Sequence, residues 1–175
     1  MLSLLKRADE YYACIADLIG TPEVLSMDAI PQHVAEVSCL FHCIFVSYLS
    51  FRVCRFLGLD YKAAARGGLL HDLFLYDWRV DGSHASPHAF THPRAALGDA
   101  ARLCRLSPIE RDVIEKHMWP LTLRSWPRYR ETLIVSTADK ICAVAELFRI
   151  YRLLRLGTRF SAAVRLLPRP VSGKI

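Results

Sequence analysis

Apolar residues along this chain recur at three- and four-residue steps, the spacing of helices that bury one face. Leu4, Leu5, Tyr12, Ile15, Leu18 and Ile19 predict a first helix over Leu2 to Ile19, ended by Gly20. Thr21-Pro22-Glu23 follows as an N-cap with proline in the first helical position, opening a short segment to Ile30 before Pro31 interrupts the chain. Leu40, Cys43, Ile44, Ser47, Tyr48, Phe51 and Phe56 predict a long helix from His33 to Phe56, closed by Gly58. Asp60 is placed to cap a helix from Tyr61 to about Tyr76. The polar stretch Asp77 to Thr91 reads as a long loop. Pro93 then starts a helix through Leu103. Ser107-Pro108-Ile109-Glu110 is a capping box that opens a helix to His117 or Met118. A final helix spans Tyr129 to Leu156, with a break near Thr132, and Gly157 stops it. Its expected buried stripe is Leu133, Ile134, Thr137, Ile141, Val144, Ala145 and Phe148. No stretch alternates like a strand. The expectation is an all-α fold, a single bundle of about six helices.

Composition adds little to that picture and excludes several others. A chain of 175 residues that is 53% hydrophobic can bury one real core, and long disorder is not expected. Six cysteines without a close CxxC pair read as buried free thiols of a reducing compartment. Met1 to Arg7 does not read as a signal peptide. The greasiest stretch, Val37 to Phe56, is broken by His42, Ser47, Ser50, Arg52 and Arg55, so no transmembrane segment is expected and the chain is placed in the cytoplasm.

Charge divides the chain in two. Of its 23 Lys and Arg, seven follow Glu146 with no acid among them, which leaves 16 bases against 17 acids in the rest. The organisation expected is a helical domain over 1–160 and a basic tail over 161–175. Such a body has no nucleic-acid footprint. The arginines with interleaved leucines after Glu146 would allow at most weak attachment to an anionic membrane or RNA, and the apolar helices would permit a homodimer.

The chemistry gathers at Gly67-Gly68-Leu69-Leu70-His71-Asp72, where an imidazole and a carboxylate sit side by side in an apolar run. Burying either one unpaired is expensive, so the pair needs a partner, and a metal ion is the obvious one. His33, His42, His92, His117 and Asp139 could complete its ligand shell. Except for His33, read as a helix-start residue, each falls on or at the edge of a different expected helix. Imidazole with carboxylate suits Fe, Mn, Co, Ni or Zn in a site for chemistry. Gly67 and Gly68, four residues earlier, would let a neighbouring helix approach one turn below the pair. Lys140 and Arg66 are candidate phosphate contacts. His84, His88 and Arg79 lie in the long loop, Glu115 or Glu36 could orient a ligand imidazole, and Trp119 could wall the pocket.

The order His42, His71-Asp72, His92, His117, Asp139 resembles the HD-domain superfamily of metal-dependent phosphohydrolases. Leu69-Leu70-His71-Asp72, His92-Pro93 and Asp139-Lys140 look most like its small single-domain bacterial members. The resemblance implies that His42, His71, Asp72 and Asp139 hold a first divalent ion. Asp72 would bridge to a second, held also by His92 and His117. A hydroxide bridging the pair would then attack a small phosphate ester or nucleotide, with Asp72, Lys140 and Arg66 as its catalytic group. Other members of the superfamily use the same six ligands for a di-iron centre that activates O2. A non-catalytic domain holding the metals structurally is the third reading. The chain lacks the Gly-Tyr-Pro extension of the cyclic-di-GMP phosphodiesterases and the length of the larger members.

Overall fold

A computed structural model describes residues 2–73 and 88–150, with only the backbone of 2–8 and 88–90 described. The expected helix end at Tyr76, the loop over 77–87 with Arg79 and His84, the stop at Gly157 and the basic tail fall outside these residues.

The described chain is all-α and has no strand. Its helices are α1 (Leu2–Ile15), α2 (Pro22–Ser26) with a 3-10 turn (Met27–Ala29), α3 (Cys39–Phe56), α4 (Tyr61–Leu70), α5 (His88–Leu103), α6 (Pro108–Lys116) and α7 (Arg130–Leu147). Side-chain caps set several of the starts. The oxygens of Thr21, Ser38, Asp60 and Ser107 each accept a backbone N–H of the first turn, and Ser107 and Glu110 form the full reciprocal box. Gly58, with a φ of 68°, takes the left-handed conformation beyond the end of α3. Arg149 does the same after α7, with a φ of 55°.

α3 and α4 form the centre, with α7 and α6 packed beside them and α1 and α5 outside. The main core joins Leu18, Met27, Leu40, Phe51, Leu69, Leu70 and Ile114. A smaller one joins Val46, Val113, Val135 and Cys142 between α3, α4, α6 and α7. The closest approach is at the glycine pair. An ideal Cβ on Gly68 would lie 2.9 Å from the Ser47 Cα of α3, and one on Gly67 would lie 2.7 Å from Val113 Cγ1 of α6. These glycines let α3 and α6 close on α4 just before its end.

Five of the expected elements change. The first helix stops at Ile15, and Ala16 to Gly20 form turns. The third begins at Cys39 rather than His33. Residues 31–38 form a loop closed by a bridge between Pro31 and Ser38, with Gln32 N–H donating to Val37 O at 2.8 Å and Cys39 N–H to Ile30 O at 2.7 Å. Those donors are satisfied without a helix, and the Ser38 cap fixes the start. α4 ends at Leu70, so His71 is its C-cap and Asp72 lies in the following turn, not within a helix. α5 begins at His88 and carries Pro93 inside it. α7 ends at Leu147, short of the expected Leu156.

α7 buries only part of its expected stripe. Thr137, Ile141, Val144 and Phe148 are exposed and Leu133, Ile134 and Ala145 half-buried, while Thr132, Val135, Ser136, Ala138, Asp139, Cys142 and Glu146 are buried. Phe56, expected in the α3 stripe, is 88% exposed. By length and composition alone α3 could cross a membrane, but 56% of it is buried inside the fold.

The glycines give a test. Gly68→Ala should cost about 1–3 kcal/mol through overpacking against the α3 backbone. A Cβ at helical Gly98 meets nothing within 4 Å. Gly98→Ala should therefore gain about 0.5–1 kcal/mol. Urea unfolding of the two variants should show shifts of opposite sign.

Candidate metal centre

The ends of several helices converge on one polar cluster. His42 lies in the first turn of α3, His71 caps the C-terminus of α4, and Asp72 follows it. His92 lies early in α5, His117 caps the C-terminus of α6, and Asp139 lies within α7. All six residues are buried, from 0% exposure at His42 and His71 to 8% at Asp139.

α4 and α6 present their histidines in the same way. His71 Nδ1–H donates to Gly68 O at 2.8 Å, and His117 Nδ1–H donates to Ile114 O at 2.9 Å. Each ring thus satisfies a carbonyl of the last helical turn, three residues back, that the helix itself leaves open. The bond fixes the tautomer and leaves Nε2 as the acceptor nitrogen, which in His117 lies 2.9 Å from His92 Nε2. It also turns Nε2 toward the cluster, at the end of the helix where the backbone dipole favours a cation.

Asp72 sits between two sets of donors. His42, His71 and Asp72 form one group, and Asp72, His92 and His117 another, with ligand atoms within 4.8 Å of one another in each. Its Oδ2 is 3.6 Å from His71 Nε2. Its Oδ1 is 3.3 Å from His92 Nε2 and 3.5 Å from His117 Nε2. Asp139 Oδ1 completes the first side, 3.1 Å from His42 Nε2 and 3.7 Å from His71 Nε2. Two of these buried atoms, His71 Nε2 and Asp72 Oδ1, have no hydrogen-bond partner. Lone pairs orphaned at this depth, one in each set, are costly unless a cation meets them, and the donor set of imidazole and carboxylate fits a divalent ion. The six expected residues are thus brought together, five of them in the two groups that could hold a metal and Asp139 against His42 and His71.

The charges respond to that crowding. Burial opposes ionisation of Asp72, but His71, His92 and His117 outweigh it and hold the carboxyl well below the usual range. Burial likewise opposes Asp139, and His42 with His71 holds it well below. Burial and the neighbouring His71 push His117 down to about 3, so its ring is neutral at neutral pH. Burial would also lower His42, but Asp139 and Glu146 raise it well above the ordinary value.

The remaining expected residues divide. Lys140 stands beside the cluster. Its Nζ is 3.6 Å from Asp139 Oδ2, donates to His117 O at 2.9 Å, and is lowered by burial against the pull of Asp139. Trp119 lies two residues beyond His117, where its carbonyl accepts Ser136 Oγ–H. Arg66 is turned elsewhere. Five residues before His71 is about 140° around a helix. Its guanidinium donates to Glu110 and Asp17, each at 2.6 Å, and lines a cleft of about 540 Å³ with Lys62 and Arg105, which none of the six ligand candidates borders. Glu115 is exposed and Glu36 pairs with Arg149, so neither orients a ligand ring. That position belongs to Glu146, which the sequence reading passed over. One of its oxygens is 2.8 Å from His42 Nδ1 and the other 2.8 Å from His33 Nδ1. Its seven-residue spacing from Asp139, two turns along one face, was the available signal. Gln32 was missed too, and its Nε2–H donates to Asp72 Oδ2 at 2.7 Å.

A divalent ion should stabilise the folded chain. At about a hundredfold excess over Kd the gain is about 2.7 kcal/mol. Thermal melts of metal-stripped protein should rise on adding Mn2+ or Co2+, and a His71→Ala/Asp72→Ala variant should show no such rise.

No protein-family model and no solved structure matches this chain.

Proposed function

We propose that this chain is an HD-type metal-dependent phosphohydrolase that cleaves a small phosphate ester, a nucleotide among the candidates, with two divalent ions. The observation that carries the proposal is Asp72, shared between a His42–His71 group and a His92–His117 group. A carboxylate with donors on both of its oxygens is the arrangement a bridging ligand requires, and a lone structural ion would leave half of it unused. Two ions held here would supply Lewis acidity for a phosphoryl oxygen and acidify a water molecule.

The protein's own part follows from its residues. Asp72 and Asp139 are held ionised, so both carboxylates are ready to bind cations. The neutral His117 ring offers a lone pair without losing a proton, and the bond from His71 Nδ1–H to Gly68 O holds that ring with its Nε2 toward the cluster. Lys140, whose side chain is 34% exposed and whose Nζ lies 3.6 Å from Asp139 Oδ2, would be the residue to meet a phosphate oxygen, exchanging a bond to Ser136 for it. The surrounding apolar core keeps the ligands from reorganising, which is the preorganisation that electrostatic catalysis needs. Arg66 belongs to the fold in this reading, tying α4 to α6 and to Asp17 just beyond α1.

The test combines metal analysis with a substrate panel. Protein purified without oxygen should contain close to two metals per chain, and His71→Ala/Asp72→Ala should contain none. Loaded with Mn2+, Co2+ or Ni2+, the wild type should hydrolyse at least one member of a panel of phosphomonoesters, phosphodiesters and nucleotides. Lys140→Ala should keep its metal and lose about 10- to 100-fold in kcat/KM, the size of one charged contact to the reacting group. Metal-loaded protein inert across the panel, or iron-loaded protein that consumes O2 with an organic substrate, would overturn hydrolysis. Protein that binds no metal would end the reading altogether.

A further inference from the structure

We infer that Glu146 is a positioning residue of the metal centre, clamped by His33 of the 31–38 loop so that it holds the His42 ring in its ligating orientation. The inference rests on the metal-centre reading above and extends it outward by one layer. His42 differs from His71 and His117 in one respect. Those rings are tethered by carbonyls at the ends of their own helices, whereas His42 lies in the first turn of α3, where the carbonyls behind it serve the helix's own N–H groups, Ser38 O taking that of His42 itself. Glu146 supplies the missing acceptor from α7, at 2.8 Å and with its side chain 3% exposed. A carboxylate there fixes Nδ1 as the protonated nitrogen and leaves Nε2 for the centre, 3.1 Å from Asp139 Oδ1.

Glu146 would itself be free to turn if its second oxygen had no partner. His33 takes that oxygen at 2.8 Å from the rim, where its side chain is 32% exposed. Burial works against the Glu146 carboxylate, and His33 and His42 together outweigh it and hold it below the usual range. The same loop carries Gln32, whose amide donates to Asp72 Oδ2. One loop therefore braces the centre at two points, through Gln32 on Asp72 and through His33 and Glu146 on His42. His33, His42 and Glu146 are close enough together to resemble a third ion site. Their facing atoms are already paired as donor and acceptor, and none is among the buried orphans, unlike those at the centre.

Cobalt binding provides the test, because the visible absorption of Co2+ reports ligand geometry independently of activity. In the full chain, Glu146→Ala should weaken Co2+ binding about 10- to 100-fold and change the Co2+ spectrum. Glu146→Gln, whose amide oxygen can still accept from His42, should fall between Glu146→Ala and wild type. His33→Ala should cost less than Glu146→Ala. Asp112→Asn serves as the structural control, since Asp112 is a buried carboxylate that accepts from Thr132 and Arg128 outside the cluster. It should alter thermal stability without altering the Co2+ spectrum or affinity. Should Glu146→Ala fail to fold by circular dichroism, the Glu146→Gln and His33→Ala spectra decide. Wild-type spectra and affinities in the Glu146 and His33 variants, or equal losses in Asp112→Asn, would overturn the inference. So would a third cobalt in the wild type that Glu146→Ala alone removes. Wild-type protein that binds no cobalt would end the metal-centre reading as well, which separates the two failures.

Discussion

A buried carboxylate surrounded by imidazoles sets the terms for the rest of this fold. Asp72 is 5% exposed and has imidazole nitrogens around both of its oxygens. A charge at that depth has to be compensated, and compensation by protein groups alone leaves Asp72 Oδ1 and His71 Nε2 without partners. Everything near the cluster follows from bringing enough donors to this point while keeping the backbone around it satisfied.

Helix ends meet that requirement better than helix middles. A histidine at a C-cap can bond a carbonyl three residues back, so ordering the ring also closes the helix, and both His71 and His117 do this. The consequence for α4 is that it stops at Leu70, which places Asp72 in a turn where it can face two neighbours at once. Gly67 and Gly68 belong to the same solution. They let Val113 of α6 and Ser47 of α3 come within van der Waals range of α4, and those two helices carry His117 and His42 at their nearby ends. Packing distance and ligand distance are thus fixed by the same two residues.

What the sequence made legible divides along this line. The all-α architecture, the N-caps at Thr21, Asp60 and Ser107, and the six candidate ligands could be read because each has a local signal: a period, a cap residue, or a residue type rarely buried alone. The failures have non-local causes. Hydrophobic periodicity assumes that a helix buries its apolar face, and α7 buries Thr132, Ser136, Asp139 and Glu146 alongside Val135, Ala138 and Cys142. The start of α3 was misplaced for a related reason. His33 and the residues around it suit a helix by pattern, but Gln32 and His33 are drawn to Asp72 and Glu146 from a loop. Arg66 was assigned to the centre by proximity in sequence, which a helix turns into the opposite direction. Pairings such as Arg66 with Glu110 or Glu146 with His42 span dozens of residues, and no local signal encodes them.

α7 shows how such a centre can be carried by a small domain. Polar residues on its inner face give up hydrophobic burial that the expected stripe would have supplied. The loss is limited by Val135, Ala138 and Cys142 on the same face of α7 and by the main core around Leu18, Met27, Phe51, Leu69 and Leu70. Each inward polar group on α7 then has a specific partner: Thr132 donates to Asp112, Ser136 to the Trp119 carbonyl, Asp139 faces His42, and Glu146 is held between His33 and His42. A fully paired polar face restrains the register and rotation of α7 more tightly than interchangeable apolar contacts would, because a shift of one residue breaks every bond at once. The stability forgone on that face is exchanged for a fixed position of Asp139 relative to His42 and His71, and ligand positions held that closely are what a metal centre demands of its scaffold.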